Sequence, residues 1–182
     1  PSLVGEIPAV ISGKKWKTEK DLHRKKLIVV SEGRRDMANE AFRVLRSNID
    51  FMSSSDHSKN VYLLTSFNPG SGKSFITFNL AVSFAIKKKR VLIIDGDLRH
   101  GSAHSYINTP TAGWSDILSG REQDVRKVIV SHPDYPTLDV LPVGKIPPNP
   151  AELLEDDKFS KLIEQLRPLY EYIFIDCPPV DI

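Results

Sequence analysis

One cysteine in 182 residues leaves nothing to form an internal disulfide and fits a reducing compartment. No apolar run reaches the length needed to span a bilayer, and no signal peptide stands at the amino end. Neither charge sign dominates: 25 Lys and Arg face 23 Asp and Glu, with 5 His, for a net charge of +2. That balance gives no global reason to expect a nucleic-acid partner. His100 and His104 share an i,i+4 spacing, but no third ligand follows in a metal-site pattern, so they read as surface residues or residues behind a site. The G-x-G-x-x-G, H-R-D and D-F-G signatures of eukaryotic-type kinases are missing as well. What remains is a chain long enough for one domain with a proper core. It opens on Pro1 rather than Met and stops at Ile182 just past a strand-like run, so a fragment truncated at its carboxyl end is expected.

The informative stretch is Val61–Ser74, Val-Tyr-Leu-Leu-Thr-Ser-Phe-Asn-Pro-Gly-Ser-Gly-Lys-Ser. An apolar run of strand length breaks into glycines, and Lys73-Ser74 opens a helical segment, Lys73–Ile86, that is apolar nearly all round. Strand, glycine loop and helix in that order suit a phosphate-binding loop, where backbone N–H groups and the helix N-terminus face a polyphosphate. Lys73 would reach the β and γ phosphates and the Ser74 hydroxyl would ligate Mg²⁺. The pattern G-x-x-x-x-G-K-[ST] is incomplete, because Phe67 stands where it wants glycine. Lys87–Arg90 then closes the helix with four positive charges that complement its C-terminus.

Two further runs support the loop. Val91–Ile94 reads as a fully buried parallel strand and runs into Asp95-Gly96-Asp97-Leu98-Arg99. Tyr172–Ile175 is a second such run and ends in Asp176-Cys177-Pro178-Pro179. Carboxylates at the carboxyl ends of buried parallel strands sit where open α/β sheets bind ligands. An Asp-Gly turn would explain Gly96 and one Asp, but not two carboxylates and an arginine. Asp176 is placed to hold Mg²⁺, directly or through water. Cys177 is assigned no chemistry, since a single buried thiol is usually packing. The fold class that follows is α/β, a doubly wound, mainly parallel sheet sandwiched by helices.

Around this nucleus the remaining elements are expected as follows. Residues 1–36 carry nine Lys and Arg against five Asp and Glu, a local +4, and no convincing period. Composition favours a solvated linker; a juxtamembrane arm near anionic lipid is the other reading. Lys26–Ser31 has the makings of a short edge strand. Residues 37–182 are expected to form one P-loop domain, incomplete at its carboxyl end. Met37–Phe51 reads as an amphipathic helix capped by Asp36, with Ala38, Phe42, Leu45 and Ile49 on one face. Glu40, Arg43, Arg46 and Asp50 share another face, either as an ordinary solvated surface or as a dock for a neighbouring subunit. Trp114–Leu118 and Asp124–Val130 are expected as short helices, Leu138–Pro142 as a strand, and Ala151–Leu166 as a helix after the Pro-rich 144–150.

Taken together, Thr65–Ser74, Val91–Arg99 and Ile173–Val180 closely resemble the Walker A, Walker A′ and Walker B motifs of the bacterial tyrosine kinases. Those are the cytoplasmic domains of capsular and exopolysaccharide co-polymerases, within the superfamily of the MinD/ParA P-loop ATPases. Glu40-Ala41-Phe42-Arg43-Val44-Leu45-Arg46 is similar to that family's E-x-x-R-x-x-R oligomerisation helix, and Pro147–Leu154 extends the likeness. The resemblance implies an ATP-dependent protein-tyrosine autokinase that regulates polysaccharide polymerisation and export. It implies ATP and Mg²⁺ as cofactors, and a loop of Pro69, Gly70, Ser71, Gly72, Lys73, Ser74 and Phe75 around the phosphates. Lys73, Asp95 and Asp97 would carry catalysis, with Asp95 activating the tyrosine hydroxyl unless it exchanges roles with Asp97. Ser74, Asp97 and Asp176 would organise the metal, and Glu40, Arg43 and Arg46 would build a ring-like homo-oligomer for trans-autophosphorylation. The other implied partners are an N-terminal membrane-spanning co-polymerase segment or activator protein and a tyrosine phosphatase, at the cytoplasmic face of the bacterial inner membrane. Family members carry their acceptor tyrosines in a C-terminal cluster; here Tyr62, Tyr106, Tyr135, Tyr170 and Tyr172 are scattered, and Tyr62 and Tyr172 fall in expected central strands. The alternative is a MinD/ParA-like nucleotide-gated ATPase module without kinase activity. That group carries a signature Lys where this chain has Asn68 and a Gly where it has Phe67, and both departures point towards the kinases.

Overall fold

The computed structural model describes residues 4–8, 28–54, 60–98, 103, 106–107, 112–146 and 157–180. The chain begins its regular structure with α1 (Met37–Ser54) and β1 (Val61–Leu64), followed by α2 (Lys73–Ala85) and β2 (Val91–Asp95). Next come α3 (Trp114–Leu118), β3 (Val130–Ser131) and β4 (Leu138–Leu141), then α4 (Lys158–Leu166) and β5 (Tyr172–Asp176). The strands form one sheet in the order β1-β5-β2-β4-β3, parallel except for the antiparallel β3. The late strand β5 is thereby inserted between β1 and β2.

Alternation along each strand divides the core into two layers. Val91, Ile93, Val140 and Phe174 face α1 and α2, where they meet Phe42, Ile49, Phe78 and Phe84. Leu92, Ile94, Ile173 and Ile175 face the other way, onto Trp114 and Leu118 of α3 and Leu162 and Leu166 of α4. Both faces of the sheet are covered by helices, as the doubly wound expectation required. Central α2 is buried over nearly its whole circumference, which explains why its sequence lacks a polar stripe.

Asp36 does cap α1, accepting the Asn39 backbone N–H at 2.9 Å. The Asn39 side chain donates to the same carboxylate, and these bonds hold the Asp36 carboxyl below its usual range.

Three expectations need correction. The 124–130 stretch is a single 3₁₀ turn, Val125–Lys127, leading into β3 rather than a helix. Residues 28–31 join no strand; their backbone is held by side chains of α1 and α2, so this part of the arm is not a solvated linker either. Among the described residues β1 lies at the sheet edge, so Tyr62 is not on a central strand, whereas Tyr172 is. A four-residue apolar run looks the same in either position. Gly96 does more than close an Asp-Gly turn. It lies against β5, where an added Cβ would come within 3.1 Å of the Asp176 carbonyl oxygen. The expectations for Arg99, His100, His104, the basic run 14–20 and Pro147–Leu154 lie outside the described residues.

Phe42 is fully buried at the α1–α2 seam, its ring edge-on to Phe75 at 6.2 Å between centroids. Truncation of Phe42 to alanine is expected to cost about 3–5 kcal/mol, measured by urea denaturation. A loss below about 1 kcal/mol would mean that α1 is not part of the cooperative core.

Candidate active site

The carboxyl ends of β1, β5 and β2 lie side by side. Leu64 pairs with Asp176 across one ladder and Asp95 pairs with Asp176 across the next. In the pleat both carboxylates share the face of Ile93 and Phe174, the face covered by α2. The loop after β1 is stitched to the segment after β5. Cys177 N–H donates to Leu64 O at 2.9 Å and Val180 N–H to Ser66 O at 2.8 Å. The Thr65 hydroxyl donates to Pro178 O at 2.8 Å. Gly70 and Gly72 adopt φ of 73° and 88°, left-handed conformations that glycine enters without a Cβ penalty. Gly72 then starts α2, whose first N–H groups have no intrahelical acceptors and face the exposed loop.

Asp176 is completely buried and draws hydrogen bonds from the start of α2. Its Oδ1 pairs with Lys73 Nζ, whose side chain is only 9% exposed. Its Oδ2 accepts the Ser74 hydroxyl at 2.5 Å, and Thr77 Oγ1 stands 3.4 Å from Oδ1 while bonding Lys73 O at 3.0 Å. Thr77 was not singled out from the sequence. Its place one helical turn beyond Lys73 and Ser74, on the same face, was the available signal.

Asp95 is equally enclosed. Oδ2 accepts Ala103 N–H at 2.8 Å and Oδ1 accepts Asp97 N–H at 3.2 Å, while its carbonyl takes the Trp114 indole N–H at 2.7 Å. Burial pushes the Asp95 carboxyl up to about 6; the neighbouring Asp176 and Asp97 charges add to that, and the two backbone N–H bonds oppose it. The Asp97 backbone thus rests on Asp95, and its half-buried side chain belongs to the same turn. Cys177 is half-buried with its thiol raised by burial, in keeping with a packing role.

The structure therefore assembles Lys73, Ser74, Asp95 and Asp176 around adjacent strand tips, beside the loop of Pro69, Gly70, Ser71 and Gly72 and with Phe75 in the first turn behind it. Among the described residues no cluster of three His, Cys, Asp or Glu residues could hold a metal. Ser74 Oγ and the Asp176 carboxylate nonetheless converge as two hard oxygen donors, which suits an ion that takes one or two protein oxygens and completes its shell with phosphate and water. Glu40, Arg43 and Arg46 are not brought to this site. Glu40 and Arg43 form an exposed i,i+3 pair on α1, whereas Arg46 turns inward and donates to Ser83 O at 2.8 Å. A cavity of about 600 Å³ lies at the other end of the sheet, and its charges are largely self-paired, as in Lys89–Glu171 at 3.0 Å.

A strand, a left-handed glycine loop, a helix N-terminus and a buried lysine–carboxylate–serine cluster define the class: a P-loop α/β domain. The AAA domain family AAA_31 matches residues 59–181. Among solved structures, the chimerical protein CapA2B2 is 34% identical with a TM-score of 0.81, covering 98% of this chain and 71% of that one. The kinase domain of the Escherichia coli tyrosine kinase ETK is 30% identical with a TM-score of 0.78, covering 98% of this chain and 69% of that one. The chain belongs to the AAA domain family and, within it, to the bacterial tyrosine-kinase domains. The tyrosine-protein kinase ptk of Acinetobacter johnsonii is 40% identical over 146 residues, 80% of this chain. The chain spans about one fifth of the length of that curated relative. Similarity to the cell-division ATPase MinD of Pyrococcus furiosus is lower, at 26% identity and a TM-score of 0.56 over 66% of this chain and 51% of that one.

The raised Asp95 carboxyl has a calculable effect on stability. Asp95 is neutral in both folded and unfolded chains below about 3.8, and between there and about 6 only the unfolded chain ionises. Its contribution to stability is therefore present at low pH and lost as pH rises through about 6. Asp95→Asn adds a pH-independent cost, because its amide meets a backbone N–H. The variant should nevertheless gain on the wild type by roughly 3 kcal/mol between about pH 3.5 and pH 7.5. Parallel urea titrations at the two pH values measure this, and a pH-independent difference would contradict the buried assignment.

Proposed function

We propose that this chain is the catalytic domain of an ATP-dependent protein-tyrosine kinase acting in capsule or exopolysaccharide assembly. The observation that carries the reading is the convergence of Lys73, Ser74 and buried Asp176 at the start of α2, with Asp95 on the adjoining strand tip. The backbone N–H groups of residues 70–75 receive the phosphates, and Lys73 leaves Asp176 to neutralise the β and γ oxygens. Ser74 and Asp176, joined by Asp97, would hold Mg²⁺, which when bound would supply charge neutralisation to the phosphates. Asp95 accepts the proton of the incoming tyrosine hydroxyl; its raised carboxyl suits a base working near neutrality. Positioning and charge stabilisation carry most of the rate.

The acceptor tyrosine is presented from outside the described residues. Tyr106 and Tyr172 are buried, Tyr62, Tyr135 and Tyr170 are half-buried, and burial raises every one of their hydroxyls. Tyr172 donates to Asp50 and Tyr170 to Asp139, which further removes them from use as acceptors. The implied partners are further copies of the protein, a membrane co-polymerase segment or activator and a tyrosine phosphatase, at the inner face of the membrane. Among the described residues no helix is long and apolar enough to cross a membrane. Residues 1–36 are the arm and 37–182 the kinase domain in this reading.

Lys73→Met in the full-length protein should reduce phosphotyrosine formation to background, because the β and γ oxygens lose their cation. Wild-type phosphotyrosine from that variant would sink the kinase reading. Labelled ATP distinguishes the alternative, since a MinD-like ATPase module would release free phosphate without labelling tyrosine.

Ring assembly rests on Glu40 and Arg43, the outward pair of α1, with Arg46 anchoring the helix to α2. Replacing both arginines by alanine should shift the full-length protein to smaller species in sedimentation velocity. An unchanged profile counts against this surface as the interface.

A further inference from the structure

Asn79 is fully buried in the middle of α2, where a polar amide is tolerated only if its hydrogen bonds are met. Its Oδ1 accepts two consecutive backbone N–H groups from before α1, Val29 at 2.8 Å and Val30 at 3.2 Å. Its Nδ2 donates to Phe75 O at 2.9 Å, in the first turn behind the phosphate loop. A second amide grips the same segment from the other side. Asn39 of α1 accepts Ser31 N–H at 2.9 Å and donates to Val29 O at 3.2 Å. Between the two clasps Val30 is buried in the same core cluster as Phe42 and Phe78. Among the described residues, the backbone bonds of 29–31 thus go to side chains of the two helices rather than to a strand ladder.

We propose that residues 28–31 form a strap that positions the phosphate-loop helix, with Asn79 as the positioning residue that couples the two. The strap rests on the nucleotide-binding reading of the site. The same amide oxygen that binds the strap shares a side chain with the amide nitrogen that fixes Phe75 O. Seating the strap therefore orders the first turn of α2, and ordering that turn favours the strap. Coupling of this kind is reciprocal: what the strap contributes to nucleotide affinity, nucleotide returns to the strap. A partner or chain segment acting on the residues before Ile28 would then alter phosphate binding without touching the loop.

The test uses the full-length protein and reads two quantities without relying on kinase activity. Hydrogen exchange at Val29, Val30 and Ser31 is followed with and without Mg·ADP, and Mg·ADP affinity is measured with a fluorescent analogue. Exchange at the three amides should slow when nucleotide binds. Asn79→Ala should abolish that response and weaken the nucleotide by about tenfold. Asn39→Ala releases the strap from the opposite side and leaves α2 intact, so it must change affinity in the same direction if the strap acts as stated. Normal wild-type binding with strap exchange indifferent to nucleotide would overturn the coupling alone, as would wild-type affinity in Asn39→Ala with a freely exchanging strap. Failure of the wild type to bind Mg·ADP at all would overturn the nucleotide reading and the strap together.

Discussion

A carboxylate with no solvent exposure in the middle of a sheet must be given a cation and donors, or it will not stay ionised. Asp176 meets that requirement through Lys73, Ser74 and Thr77, all from the first two turns of one helix. Much of the architecture follows from it. Those turns can reach the tip of β5 only if β5 lies beside the strand that feeds the helix, and β1 is that neighbour. The loop must climb from β1 and turn back sharply, which the left-handed Gly70 and Gly72 allow. Its flank must then be held against the segment leaving β5, and the bonds from Cys177, Val180 and Thr65 do so.

Asp95 and Asp176 are adjacent in register yet differ in environment. Asp176 has a lysine and a serine, whereas the Asp95 carboxylate is held by two backbone N–H groups. Hydrogen bonds alone offset less of the desolvation cost than an ion pair does, so the Asp95 carboxyl rises to about 6. Two carboxylates on neighbouring strands, one held by a lysine and a serine and the other by backbone N–H groups, are an arrangement suited to dividing metal holding from proton acceptance. Gly96 eases the arrangement, because an added Cβ would stand 3.1 Å from the Asp176 carbonyl oxygen and push the end of β2 off β5 by a few tenths of an ångström.

The helices on the α2 face do more than cover the sheet. Arg46 ties α1 to α2 through a backbone carbonyl, and buried Asn39 and Asn79 join the residues before α1 to both. Glu40 and Arg43 meanwhile remain on the outer surface. A single amphipathic helix thus separates its charged residues into an inward anchor and an outward pair, a division that spacing alone does not reveal.

By itself, the sequence determined the strand–loop–helix, the two buried runs ending in Asp95 and Asp176, and the α/β class. Those signals are local: a run of β-branched residues, glycines ahead of a lysine, and a helix with no polar face. The family followed from the same stretches, since their spacing is a property of the chain. Tertiary structure alone decided which strands became neighbours, and so that Asp176 would stand between Lys73 and Asp95. Among the described residues it placed β1 at the edge, enlisted Thr77 and Trp114 at the site, and drew residues 28–30 out of solvent. Apart from Thr77, which its helical spacing from Lys73 and Ser74 could have marked, none of these was legible in the order of residues, because each depends on contacts between distant positions. A polar side chain such as Asn79 reads as an ordinary helix residue until the backbone it satisfies is in place.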